Sequence, residues 1–78
     1  MKYYLISYGA AAYAGERDLR DTRVIDEFPL AFIKKNETVE EEIFRKHGVG
    51  GANGSYYHNF YLTCSMEITK EEYDAYNN

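Results

Sequence analysis

Three guanidinium groups, Arg17, Arg20 and Arg23, fall within seven residues and are interleaved with Glu16, Asp18 and Asp21. A guanidinium presents its N–H donors as a planar fork that matches phosphate or carboxylate oxygens two at a time, so this spacing has the chemistry to grip an anion. With Tyr8, Tyr13 or Tyr57 stacked on a base, the same cluster would suit a nucleotide. Alternating signs are equally what a solvated, self-neutralising surface run shows, and on sequence alone both readings stand. The glycines Gly48, Gly50, Gly51 and Gly54 offer bare backbone N–H groups, which makes the amides around Gly51 and Asn53 further candidates for the same anion. They follow a helical pattern instead of opening one, and they lack the lysine and hydroxyl ending of a phosphate-binding loop, which favours a plain connector.

Other chemistry finds less support. His47, His58 and Cys64 have none of the spacings of a zinc site, and His47 has an ordinary place near a helix C-terminus, so neither a metal nor a cofactor is expected. Cys64 alternates with Leu62 and Met66, which predicts a core-facing thiol acting as a small hydrophobe, not a nucleophile. Glu40, Glu41 and Glu42 are explained by helix capping without acid–base work. The expectation is a protein that binds and does not catalyse.

A chain of 78 residues can build one small core, so a single domain over 1–78 is expected. The formal charge of -4 argues against general affinity for nucleic acid or anionic lipid, which rests on surplus Lys and Arg. One cysteine permits no internal disulfide, and the opening apolar run is too short and polar for a signal peptide or membrane span; a soluble protein of a reducing cytoplasm is expected. Nine tyrosines against no tryptophan exceed what a core this small can use, and point to a recognition surface.

The elements that must position these groups read as β-β-α-β with a terminal helical turn, an α+β chain. Lys2 to Gly9 is a strand, ending in a long loop from Ala10 to Arg20. Val24, Phe28, Leu30 and Phe32 keep a period of two, which predicts a second strand over 22–34, lying at a sheet edge or bent because Pro29 cannot donate to a ladder. Thr38-Val39-Glu40-Glu41 matches a capping box and predicts a three-turn helix to a stop at Gly48, with Val39, Ile43, Phe44 and His47 on one face. In the last strand Phe60, Leu62, Cys64, Met66 and Ile68 point one way and Tyr57, Asn59, Tyr61, Thr63, Ser65 and Glu67 the other. Thr69-Lys70-Glu71-Glu72 is a second capping box, with Ile68 and Tyr73 placed as a hydrophobic staple, and starts a short helix to about Tyr76. One helix on a three-stranded, mainly antiparallel sheet leaves a second face bare, carrying Tyr57, Tyr61 and either Tyr3 or the Tyr4/Tyr8 pair. That face is expected to bind a second copy or a flat ligand.

The opening MKYYLISY, the step Asp26-Glu27-Phe28-Pro29 and the closing Glu67-Ile68-Thr69-Lys70-Glu71-Glu72-Tyr73 resemble short proteins encoded by bacteriophages and mobile elements. The glycine-rich insertion over 48–55 departs from that pattern. The resemblance implies an intracellular, non-enzymatic antagonist of host defence, which either sequesters a nucleotide signal or occludes a host protein. Two functions are therefore expected to compete: capture of an anionic small molecule by a homo-oligomer, and inhibition of a partner through acidic or tyrosine-rich surface.

Overall fold

A computed structural model of the chain describes residues 1–12, 17–48 and 57–77. Strands β1 (Tyr3–Ala12), β2 (Leu19–Ile25) and β3 (Tyr57–Ile68) form one antiparallel sheet in the order β2-β1-β3, with helix α1 (Pro29–His47) between β2 and β3 and helix α2 (Lys70–Asn77) after them. This is the expected α+β arrangement. The first hairpin is longer than expected: Ala10 to Ala12 and Leu19 to Asp21 are paired strand, and Asp18 accepts the Ala12 N–H at 3.1 Å.

The expected second strand over 22–34 is overturned. β2 stops at Ile25, and Pro29 opens α1, where its fixed φ suits the first helical turn and its missing N–H would have had no partner. β2 is indeed an edge strand, but Pro29 is no part of it. Phe28 and Leu30 are 72% and 73% exposed, so their alternation with Phe32 was a coincidence of composition. The spacing that mattered is helical: Pro29, Phe32 and Ile33 are buried, and Asn36, Glu40 and Ile43 continue the half-buried stripe. Thr38 does not cap a helix start; its Oγ1 donates to the Lys34 carbonyl at 3.0 Å, four residues back within the helix. Val39 and Phe44 are exposed to 50% and 38%, outside that stripe. Gly48 ends the helix as expected, with φ 79° and its N–H on the Phe44 carbonyl at 2.7 Å.

α1 covers one sheet face. Phe32 packs edge-on against Tyr8 with centroids 5.3 Å apart, and with Ile33 it closes a core over Ile6 and Ile25, flanked by Tyr4, Leu19, Phe60 and Leu62. Burying each such side chain contributes about 1.5 to 3 kcal/mol, which makes this cluster the main source of stability. The second face is not bare, as expected, but is capped at one end by α2. Thr69 and Glu72 form the capping box, with Glu72 N–H on Thr69 Oγ1 at 3.1 Å and Thr69 N–H on Glu72 Oε1 at 3.0 Å, and the Tyr73 ring lies 4.6 Å from that of Tyr3.

Candidate functional site

β3 carries the feature that shapes the remaining open face. Ser7 pairs with Cys64 but Tyr8 pairs with Leu62, so Thr63 is an extra residue and the strand bulges. A bulge reverses the alternation beyond it. Phe60 and Leu62 therefore face α1, while Cys64 and Met66, which share positions with Ser7 and Leu5, face the other side. The core-facing reading of Cys64 is overturned, and its thiol is exposed. A second slip, between Gly9 and Ala11, surrounds Asn59, whose φ of 54° is the one positive value among the described non-glycine residues.

Cross-strand rows now organise the open face. One row is Thr22, Ser7 and Cys64, with the bulged Thr63 beside it: Ser7 Oγ and Thr22 Oγ1 are 2.9 Å apart, and Thr63 Oγ1 donates to the Ser7 carbonyl at 3.1 Å. The next row is Arg20, Gly9 and Tyr61. Gly9 has no side chain, and the Tyr61 ring occupies the space: a β-carbon on Gly9 would sit 2.7 Å from both Tyr61 Cζ and Tyr61 Oη. The Tyr61 hydroxyl thus reaches across β1 toward the strand that holds Arg20. Ser7, Gly9, Arg20, Thr22, Tyr61 and Thr63, together with Tyr8 and Asp21, line a concavity of about 270 Å³.

Arg20 is the cation at this concavity, and its charge is not cancelled by Asp21. The neighbouring aspartate turns to the α1 side, where its Oδ2 accepts the Tyr8 hydroxyl at 3.1 Å and lies 3.3 Å from Arg23 Nε, while Oδ1 accepts the Thr22 N–H at 2.9 Å. Burial pushes the Tyr8 phenol above its ordinary pKa, and the hydrogen bond and charge of Asp21 push the same way, with Arg23 opposing. Arg23 also lies over the Phe32 ring at 5.6 Å. Among the described residues Arg20 makes no ion pair.

The structure accordingly separates the sequence candidates. Arg20 and Arg23, three apart on one strand, sit on opposite faces; Arg23 and the Tyr8 ring belong to the α1 side. Tyr57 is at the far end of the sheet, where its N–H meets Glu40 of α1 at 3.4 Å. Arg17 is exposed ahead of β2. Tyr13, Gly51 and Asn53 lie outside the described residues. Of the open-face tyrosines expected, Tyr3 and Tyr61 are present and Tyr57 is not. Ser7, Gly9, Thr22 and Thr63 were not among the candidates, and Tyr61 was expected on the open face but not at an anion site. The available signal was Gly9, since a lone glycine inside a strand marks a close approach.

Among the described residues no three His, Cys, Asp or Glu side chains gather as a metal site, and no helix is long and apolar enough to cross a membrane. No protein-family model, no curated protein and no solved structure matches the chain.

Proposed function

We propose that this chain is a non-enzymatic binding protein that captures a small, nucleotide-sized anion on the open face of its sheet. The observation that carries the reading is Arg20: a guanidinium with no ion-pair partner among the described residues, at the edge of a concavity of about 270 Å³ with three hydroxyl groups on its floor. A desolvated anion there would gain a bidentate, charge-assisted contact, and Tyr61 supplies a ring to pack on. The resemblance to small phage proteins adds a setting, a host cytoplasm in which capture sequesters a signalling nucleotide. Self-association belongs to the same reading, because Met66, 51% exposed, lies with Leu5 and Val24 beside the concavity, and a second copy there would wall it in.

The test is a thermal-shift and calorimetric screen of nucleotides. A ligand at about a hundred times its dissociation constant adds about 2.7 kcal/mol to the folded state, or about 10 to 20 °C in a domain of this size. Arg20→Ala should abolish the shift. If every nucleotide leaves the melt unmoved, the capture reading fails. The competing reading, occlusion of a partner protein, draws on Phe28 and Leu30, large apolar side chains exposed beside Asp26 and Glu27. Phe28→Ser with Leu30→Ser would then abolish partner binding while Arg20→Ala left it intact.

A further inference from the structure

The donors and acceptors of the concavity are sorted by row. On one row stand donors: the Arg20 fork and the hydroxyl of Tyr61, which makes no hydrogen bond among the described residues. On the other stand mainly acceptors. Thr63 has already given its only hydroxyl proton to the Ser7 carbonyl, so it can only accept. Ser7 and Thr22 share one hydrogen bond, which leaves the pair one proton and several lone pairs. The two rows are two residues apart along each strand, about 7 Å. A matching molecule carries an oxyanion at one end and hydrogen-bond donors within about 7 Å at the other.

The charge also has a definite size. One guanidinium faces the concavity; Asp21 also lines it, with its carboxylate engaged by the Tyr8 hydroxyl, Arg23 and the Thr22 N–H, and the chain as a whole carries -4. A polyphosphate would bring several charges to a site that compensates one, at a cost that the net field of the protein adds to. We infer that the site selects a singly charged oxyanion carried on a hydroxylated ring, with the anion at Arg20 and Tyr61 and the ring hydroxyls on Thr63, Ser7 and Thr22. The inference rests on the capture reading and sharpens it: a cyclic phosphodiester of ribose or a sugar carboxylate fits, and a nucleoside triphosphate does not.

Calorimetry on the full chain with four probes tests it: cyclic adenosine monophosphate, its analogue lacking the ribose hydroxyl, glucuronate, and adenosine triphosphate. One of the two monoanions should bind at least about tenfold more tightly than the triphosphate, and which of them does so identifies the source. For the cyclic nucleotide, loss of the ribose hydroxyl should weaken binding by about three- to tenfold, the worth of one hydrogen bond. Thr63→Val, which keeps the shape and removes the acceptor, should weaken whichever monoanion binds by a similar factor, with a cooperative melt, lowered only by the lost bond to the Ser7 carbonyl, showing that the fold persists. A triphosphate bound as tightly as either monoanion, with Arg20→Ala abolishing it, would overturn the selectivity and leave capture standing. Indifference of the bound monoanion to Thr63→Val would overturn the placement of its hydroxyls. Failure of all four probes would overturn this inference, and the capture reading falls with it only when the full nucleotide screen also leaves the melt unmoved.

Discussion

Replacing Gly9 with alanine tests the geometry of the open face without knowledge of any ligand. The new β-carbon would lie 2.7 Å from Tyr61 Cζ and Oη and 3.1 Å from the Leu19 carbonyl. The tyrosine end must move by about 1 Å to reach ordinary contact distance, and the Leu19 backbone by a few tenths of an ångström. Against this stands a gain of about 0.5 to 1 kcal/mol, because alanine has less unfolded-chain freedom to lose than glycine. In the native background the two effects oppose, so Gly9→Ala should be neutral or destabilising by up to about 1 kcal/mol. In a Tyr61→Ala background the severe contact is gone and only the few tenths of an ångström at the Leu19 carbonyl remain against the entropic gain, so the same substitution should stabilise, raising the melting temperature by up to about 8 °C. Urea denaturation of the four proteins gives the coupling energy, expected near 1 kcal/mol with Gly9→Ala changing sign between backgrounds. Additivity within about 0.3 kcal/mol would show that Tyr61 does not lie across Gly9, and the concavity as described would not exist.

Tyr8→Phe removes the hydroxyl that Asp21 accepts and should cost about 1 kcal/mol near neutral pH. Because burial raises the folded-state pKa of Tyr8, its contribution is fully present below the ordinary tyrosine pKa of about 10 and is lost as pH rises through the higher folded value. Denaturant midpoints of the native protein should therefore fall faster than those of Tyr8→Phe above about pH 10, and a steeper fall in the variant would contradict the assignment. Cys64, exposed on the open face, should react with a thiol reagent in the folded protein, and Cys64→Ser should change stability by less than about 0.5 kcal/mol; a thiol that reacts only on unfolding would put it back in the core. Arg23→Gln should cost about 0.5 to 1.5 kcal/mol through lost contact with Phe32 and Asp21, whereas Arg20→Gln should stay within about 0.5 kcal/mol, and equal losses in a denaturant titration would refute their division between faces.

Much of the architecture was legible from local chemistry. The Thr69-x-x-Glu72 box specifies its helix because both partners lie within one turn, and Gly48 ends α1 because a φ of 79° disfavours any residue with a β-carbon. The aromatic and β-branched run from Tyr3 needs only its pleat to become a strand. Pro29 was legible as an interruption, expected as an edge position or bend in a strand, whereas it opens a helix. The adjacent pair Phe32 and Ile33 favours the helix, because in a strand neighbours point apart and one of them would have been left in water.

What the tertiary structure alone decided is which side of the sheet each side chain serves. Alternation along β3 assigns Cys64 to the core only if the register runs unbroken, and the bulge at Thr63 exists because β3 pairs with a strand more than fifty residues earlier, at Ser7 and Tyr8. No local pattern encodes that slip. The same holds for the arginines: three close neighbours in sequence read as one cluster, but once β2 is an extended strand against β1, Arg20 and Arg23 must emerge on opposite faces. The sequence by itself determined the inventory of strands, helices and charged groups; only long-range pairing brought Ser7, Arg20, Tyr61 and Thr63 around one concavity, because residues from three strands meet there only when their registers are set together.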